Sequence, residues 1–162
     1  MEIFDFSKLK LPIIQAPMAG GFNTPELASV VANSGGVGSF GFSFTSPEKI
    51  DAILHNTMKL TSGFINANFF VFKPVKLPEK KVQEEAIQAI QSLSLNQKYE
   101  INIPKEPFYF DLESQIEATL KNLPSIITFH LGIPSKNIIK KSQSLGIKVG
   151  ITATNITEAK SI

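Results

Sequence analysis

Five short apolar runs, 11–16, 36–41, 63–71, 125–130 and 147–152, constrain this chain most, because four of them lead within a few residues into a helix-start signal. The signals are Thr24-Pro25-Glu26, Ser46-Pro47-Glu48, Ser135, and Asn155 with Glu158 three residues on. Ser, Thr or Asn at a helix start accepts a hydrogen bond from an otherwise unpaired backbone N–H, and proline at the next position costs no bond. A short apolar run bounded by turn signals reads as a strand buried on both faces. The first, Leu11 to Ala16, breaks off into Pro17, Met18 and the pair Gly20-Gly21, whose small residues let a backbone approach a ligand. It reads as strand, ligand-facing loop, helix; an ordinary βα turn is the plainer alternative.

Apolar periodicity places helices over 24–34, closed by Gly35-Gly36, and from Ser46 to about Lys59, with Ile50, Ile53, Leu54 and Met58 on one stripe. Further helices are expected from about Leu112 to Asn122, from Ser135 to Gly146, and from Asn155 onward. Between 73 and 107 the chain turns richer in Lys, Gln, Glu and Pro. Pro78, Val82, Ala86, Ile87 and Ile90 mark one helix there, expected in a polar surface insertion that covers the edge or outer face of the domain and carries no chemistry.

Alternating strands and helices with short connections build a parallel sheet, either a barrel or a doubly wound fold. No G-x-G-x-x-G follows any strand, which counts against a Rossmann site, and there is no P-loop. With 162 residues, 43% of them hydrophobic, the chain can bury one real core. A net charge of +2 with dispersed lysines gives no nucleic-acid footprint. Zero cysteines exclude disulfides, zinc–thiolate sites and cysteine nucleophiles. The start lacks a secretory signal pattern, and no apolar run approaches the ~20 residues of a membrane helix. A cytoplasmic location without membrane partner is expected.

In parallel α/β folds ligands collect at the carboxyl ends of strands. Those ends are Ala16-Pro17-Met18, Gly41, Asn68, His130 and Thr152. Asn68 interrupts an apolar strand that disfavours asparagine, and its buried amide needs partners from a ligand or from backbone. His130 closes an apolar strand ahead of Leu131-Gly132-Ile133-Pro134, as a catalytic or substrate-facing group or as a structural one. Met18 either presses on a planar ring or fills core. His55 falls inside a helix and reads as a surface residue. The acidic residues lie mostly on helices, against a paired-carboxylate hydrolase. There is no G-x-S-x-G, and two distant histidines make no metal site.

The motifs P-I-I-Q-A-P-M-A-G-G (12–21), T-P-E-L-A (24–28), G-G-V-G-S-F-G (35–41), S-P-E (46–48), N-F-F-V (68–71) and F-H-L-G-I-P (129–134), in this order, resemble the nitronate monooxygenase (2-nitropropane dioxygenase) family. The resemblance runs from the first strand to the chain end, apart from 73–107. It implies the amino-terminal part, about five βα units, of an FMN-dependent (β/α)8 TIM barrel that oxidises a nitronate or nitroalkane with O2 to a carbonyl compound and nitrite. It further implies that Pro17, Met18 and Ala19 line the flavin, that Asn68 hydrogen-bonds FMN, and that His130 stands on the substrate side of the ring.

The family's E-A-G-G-H stretch, the later strands and the loops that hold the FMN phosphate fall outside these 162 residues, whereas a typical barrel needs ~250. The expectation is a truncated product or a part of a longer protein, with a split gene product completed by a partner as the third option. Alone, such an open sheet should aggregate or self-associate through bare edges. The rival functions are a flavin-dependent enoyl-ACP reductase of the same group and a non-catalytic fragment acting by association.

Overall fold

A computed structural model describes residues 4–93 and 101–162. Two compact units emerge, one formed by Met1–Phe72 with Tyr109–Ile162, the other by Lys73–Phe108. The first contains α1 (Pro25–Asn33), β1 (Val37–Gly41), α2 (Pro47–Leu60), β2 (Phe64–Phe70), then α4 (Leu112–Leu120), β3 (Ile126–His130), α5 (Lys136–Ser144), β4 (Lys148–Ile151) and α6 (Ile156–Ser161). The second contains α3 (Lys80–Leu93). That helix buries no residue and carries exposed pairs one turn apart, Lys80–Glu84 and Lys81–Glu85.

The helices begin where the capping chemistry dictates. Thr24, Ser46, Asp111 and Ser135 accept from the backbone N–H groups of Leu27, Lys49, Ser114 and Ile138. At α6, Asn155 Oδ1 accepts from Glu158 N at 2.9 Å, as a capping box requires. The return bond lands one residue early: Glu158 Oε2 accepts from Thr154 N at 2.7 Å.

All four strands are parallel and lie in sequence order β1-β2-β3-β4. A doubly wound sheet reverses its strand order and carries helices on both faces. Here one apolar cluster joins Ala28 and Ala32 of α1, Ile50 and Leu54 of α2, Ile116 of α4 and Ile138 of α5 to Phe40, Ile65, Phe69, Ile127 and Phe129 of the strands. Successive strand residues point to opposite faces, so these helices all cover the same face. The sheet is the wall of a barrel. Its opposite face carries Ser39, Asn66, Asn68, Thr128 and His130, and Phe4 packs against Val37 and Ile126 near the strand starts.

The first apolar run departs from expectation. It is neither a full strand nor buried on both faces: Leu11, Ile13 and Ile14 are 41%, 57% and 42% exposed. One bridge, Ile14 to Val37, ties it to β1, through Val37 N to Ile13 O at 3.0 Å and Gln15 N to Val37 O at 2.9 Å. A parallel ladder would continue from Ser39 N to the Gln15 carbonyl and from residue 17 N–H to Ser39 O. Residue 17 is proline and has no N–H to give. Two side-chain amides stand in. Gln15 Oε1 accepts from Ser39 N at 3.2 Å, and Asn23 Nδ2 donates to Ser39 O at 2.7 Å. Among the described residues the segment has one neighbouring strand, β1, and its apolar side chains are left partly exposed.

Candidate functional site

Pro17 frees the chain from β1 just where the strand ends. The segment 17–19 then crosses Gly41, where a Cβ would stand 2.8 Å from Met18 C and 2.9 Å from Ala19 N. Only glycine admits a backbone that close. Asn23 holds the far end of this loop, with Nδ2 donating to Ala16 O at 2.9 Å as well as to Ser39 O. The loop therefore lies over the carboxyl end of β1, with Met18 44% exposed.

Register carries this rim across the sheet. Gly41 pairs with Asn68, Asn68 with Thr128, and Phe70 with His130. The rungs continue past the strands: Phe42 N donates to Asn68 O, Val71 N to His130 O, and Thr152 N to Phe129 O, at 2.9, 2.9 and 3.0 Å. Met18, Asn68 and His130 thus occupy one end of one sheet. His55 is exposed on α2, far from any strand end in sequence and outside this set.

A polar chain runs beneath the rim along the sheet face opposite α1, α2, α4 and α5. Asn66 Nδ2 donates to Ser39 Oγ at 3.4 Å, Thr128 Oγ1 donates to Asn66 Oδ1 at 3.1 Å, and Asn68 Nδ2 donates to Thr128 Oγ1 at 2.8 Å and to Thr128 O at 3.2 Å. Because a carbonyl only accepts, the bond to Thr128 O fixes the Asn68 amide with nitrogen inward. Its Oδ1 is left without a donor among the described residues. Asn68 is 2% exposed and Asn66 3%. Sequence reading named Asn68 but missed Asn66 and Thr128. The signal was available: Asn66 precedes Asn68 by two residues, and Thr128 precedes His130 by two, the spacing that places strand residues on one face.

His130 is held from several sides. Its Nδ1 lies 2.6 Å from Thr152 Oγ1, and its ring meets that of Phe70 edge-on, with centroids 6.2 Å apart. Leu131, the next residue, takes a left-handed φ of +66°, which ends the strand abruptly. Phe70, Phe72 and Phe44 form a mutual aromatic cluster beside it, and Tyr109 stacks on Phe72 at 4.6 Å. The carboxyls held below their ordinary range, Asp5, Glu26, Glu48, Asp111 and Glu158, all sit at helix starts, where backbone N–H groups bond them, and none belongs to the rim. A cavity of about 580 Å³ lies lower on this face, between Phe4, Phe6, Ile126 and Lys148, reaching up to Asn66 and Thr128. Among the described residues, no group of acidic and histidine side chains is placed to hold a metal ion, and no helix is long and apolar enough to cross a membrane.

The rim suits a flat, partly polar ring. It offers the exposed Met18 side chain, loop backbone at 17–19, and the Asn68 amide oxygen, which has no donor among the described residues.

The family model described as nitronate monooxygenase matches residues 2–162. A nitronate monooxygenase of Paraburkholderia phytofirmans is 31% identical over 157 residues, covering 93% of this chain and 42% of its own length. A probable nitronate monooxygenase of Bacillus subtilis is 30% identical over 162 residues, covering 98% and 44%. The crystal structure of nitroalkane oxidase from Streptomyces ansochromogenes superposes with a TM-score of 0.80 at 25% identity, over 96% of this chain and 44% of that one. FabK from Thermotoga maritima shares the fold, with a TM-score of 0.64 at 17% identity, over 94% of this chain and 37% of its own. The chain thus spans less than half the length of the relatives it matches, and it corresponds to the amino-terminal part of their (β/α)8 barrel. A match over almost every residue, on a fold that matches too, makes this chain a member of the nitronate monooxygenase family.

Proposed function

We propose that the chain forms the flavin-facing amino-terminal portion of an FMN-dependent enzyme that oxidises nitronates to a carbonyl compound and nitrite, with oxygen as the oxidant. One observation carries this reading: the loop at 17–19, Asn68 and His130 meet at one rim, and the Asn68 amide there keeps an oxygen free to accept a ring N–H. Pro17, Met18 and Ala19 would bear on the ring through backbone and the Met18 side chain. Asn68 Oδ1 would fix its orientation, and Thr128 would hold Asn68 in turn. When bound, the flavin supplies a two-electron acceptor that oxygen restores. The rest falls to the chain. A nitronate arrives as an anion, so the protein need only hold its carbon against the ring and favour its oxygens with a donor; His130 occupies the place for that donor. No base is needed unless the substrate is a neutral nitroalkane.

The test is purification of the full gene product with added FMN, followed by assay with propane 2-nitronate and propionate 3-nitronate. Yellow protein that releases nitrite in proportion to oxygen consumed is expected. A folded, colourless protein overturns the reading. A yellow protein that oxidises NADPH with an enoyl thioester and releases no nitrite replaces it with the reductase alternative.

A further inference from the structure

We infer that Thr152 is a positioning residue for His130, donating its hydroxyl proton to Nδ1 so that the ring's proton sits on Nε2 and faces the substrate as a hydrogen-bond donor. The inference rests on the proposed function, which supplies the anionic substrate and with it the direction of donation; the Thr152–His130 contact does not depend on it. Thr152 Oγ1 and His130 Nδ1 are 2.6 Å apart, and among the described residues Oγ1 has no other partner. Two features make this contact more than a chance approach of two surface groups. Thr152 N donates to Phe129 O, so the β3–β4 ladder runs one rung beyond β4 and fixes the Thr152 backbone beside His130. Thr152 also falls two residues after Gly150, on the sheet face that carries His130, and a β-branched side chain has few χ1 choices there. On the other side of the ring, Phe70 stands edge-on and Leu131 turns the chain away.

The distance fits either direction of donation, and the two directions leave opposite groups at the second nitrogen. If Nδ1 carried the proton, Nε2 would present a lone pair, which repels an anion. If Thr152 donates, Nε2 presents an N–H, which attracts the negatively charged oxygens of the bound nitronate. His130 then acts as a donor and takes no proton from substrate, and Thr152 is what keeps it so.

The tautomer can be read directly, without flavin or turnover, from imidazole ¹⁵N shifts of the protein at about pH 8, where a histidine is ordinarily neutral. A single Nε2–H form is expected in the wild type and in Thr152→Ser, and a mixture of tautomers in Thr152→Val, which keeps the shape but lacks the hydroxyl. In the FMN-loaded protein, Thr152→Val should raise KM for propane 2-nitronate in proportion to the Nε2–H population it loses, about twofold for an even mixture of tautomers, with a smaller change in kcat, and Thr152→Ser should restore it. An Nδ1–H form in the wild type, or identical spectra for wild type and Thr152→Val, overturns the assignment whatever the enzyme proves to do. If the spectra behave as expected but His130→Ala leaves nitronate KM untouched, Thr152 still orients His130, and it is the substrate-side reading of His130 that fails.

Discussion

On one side of β2 stand Ile65, Ala67 and Phe69, each with no measurable exposure, packed against the helices. On the other side of the same strand stand Asn66, Asn68 and Phe70, bonded or packed to Ser39, Thr128 and His130. The strand β3 repeats the division, with Ile127 and Phe129 toward the helices and Thr128 and His130 away from them. Two jobs are thus interleaved at a period of two residues. The helix-facing set removes large side chains from water and has no side-chain polar atom to satisfy; the opposite set buries amides and hydroxyls bonded to one another from Ser39 to Asn68. The first set carries much of the protein's stability, and the second is the one we propose to hold the flavin. Even the glycines divide. A Cβ on Gly38 would lie 2.1 Å from the Ala28 carbonyl of α1, while one on Gly41 would meet the loop backbone at Met18 and Ala19.

The sharpest test of that division is to cut into neighbouring residues of one strand. Phe69→Ala should have the largest effect on stability, about 3–5 kcal/mol in urea titration, since the buried ring leaves a cavity between sheet and helices. Whatever folded protein remains should bind flavin as the wild type does. Asn68→Ala, one residue away, should cost about 1–2 kcal/mol, because Thr128 Oγ1 keeps its bond to Asn66 and only one side of the network is lost. Its flavin retention, followed by absorbance after gel filtration, should drop sharply. If the two variants lose flavin and stability in the same proportion, the faces are not functionally distinct, and unchanged flavin affinity in Asn68→Ala removes that residue from the site.

Much of this arrangement is written locally in the chain. The cap at Ser46-Pro47 and the alternation of Ile65, Ala67 and Phe69 with asparagines need no knowledge of distant residues to be read, and helix and strand positions follow. What the sequence hides is pairing. Asn68 finds Thr128 sixty residues along the chain only because β2 and β3 take one particular register, and His130 finds Thr152 through the next pair of strands. The exposure of Leu11, Ile13 and Ile14 was equally illegible, since an apolar run records a demand for burial and not whether a neighbour meets it. Pro17 was visible as a strand-ender, yet its replacement in the ladder by the amides of Gln15 and Asn23 depends on a loop that returns to Ser39.

The smallest expected effect sharpens the comparison from the helix side. Asp111 caps α4, one of the helices over the apolar face, accepting from Ser114 Oγ at 2.7 Å and Ser114 N at 2.8 Å. These bonds hold its carboxyl below the ordinary range against a modest opposing effect of burial. A carboxyl whose folded value is lowered adds stability above its unfolded value, and that stability disappears as pH falls through the folded value. Asp111→Ala should therefore cost about 1 kcal/mol at pH 7, the usual value of a lost cap. The difference from wild type in paired urea titrations should narrow below about pH 4, as the wild-type carboxyl protonates and loses its charge-assisted bonds. At pH 7 flavin binding should not differ between Asp111→Ala and wild type, because α4 packs on the sheet through Ile116 and Leu120 and, among the described residues, its Gln115 Nε2 bonds the Phe42 and Thr45 carbonyls rather than the Asn66–Thr128–Asn68 chain. A gap that widened in acid, or a flavin affinity that followed it, would mean that the capped helix and the polar rim are coupled, and that the two faces of the sheet do not act independently.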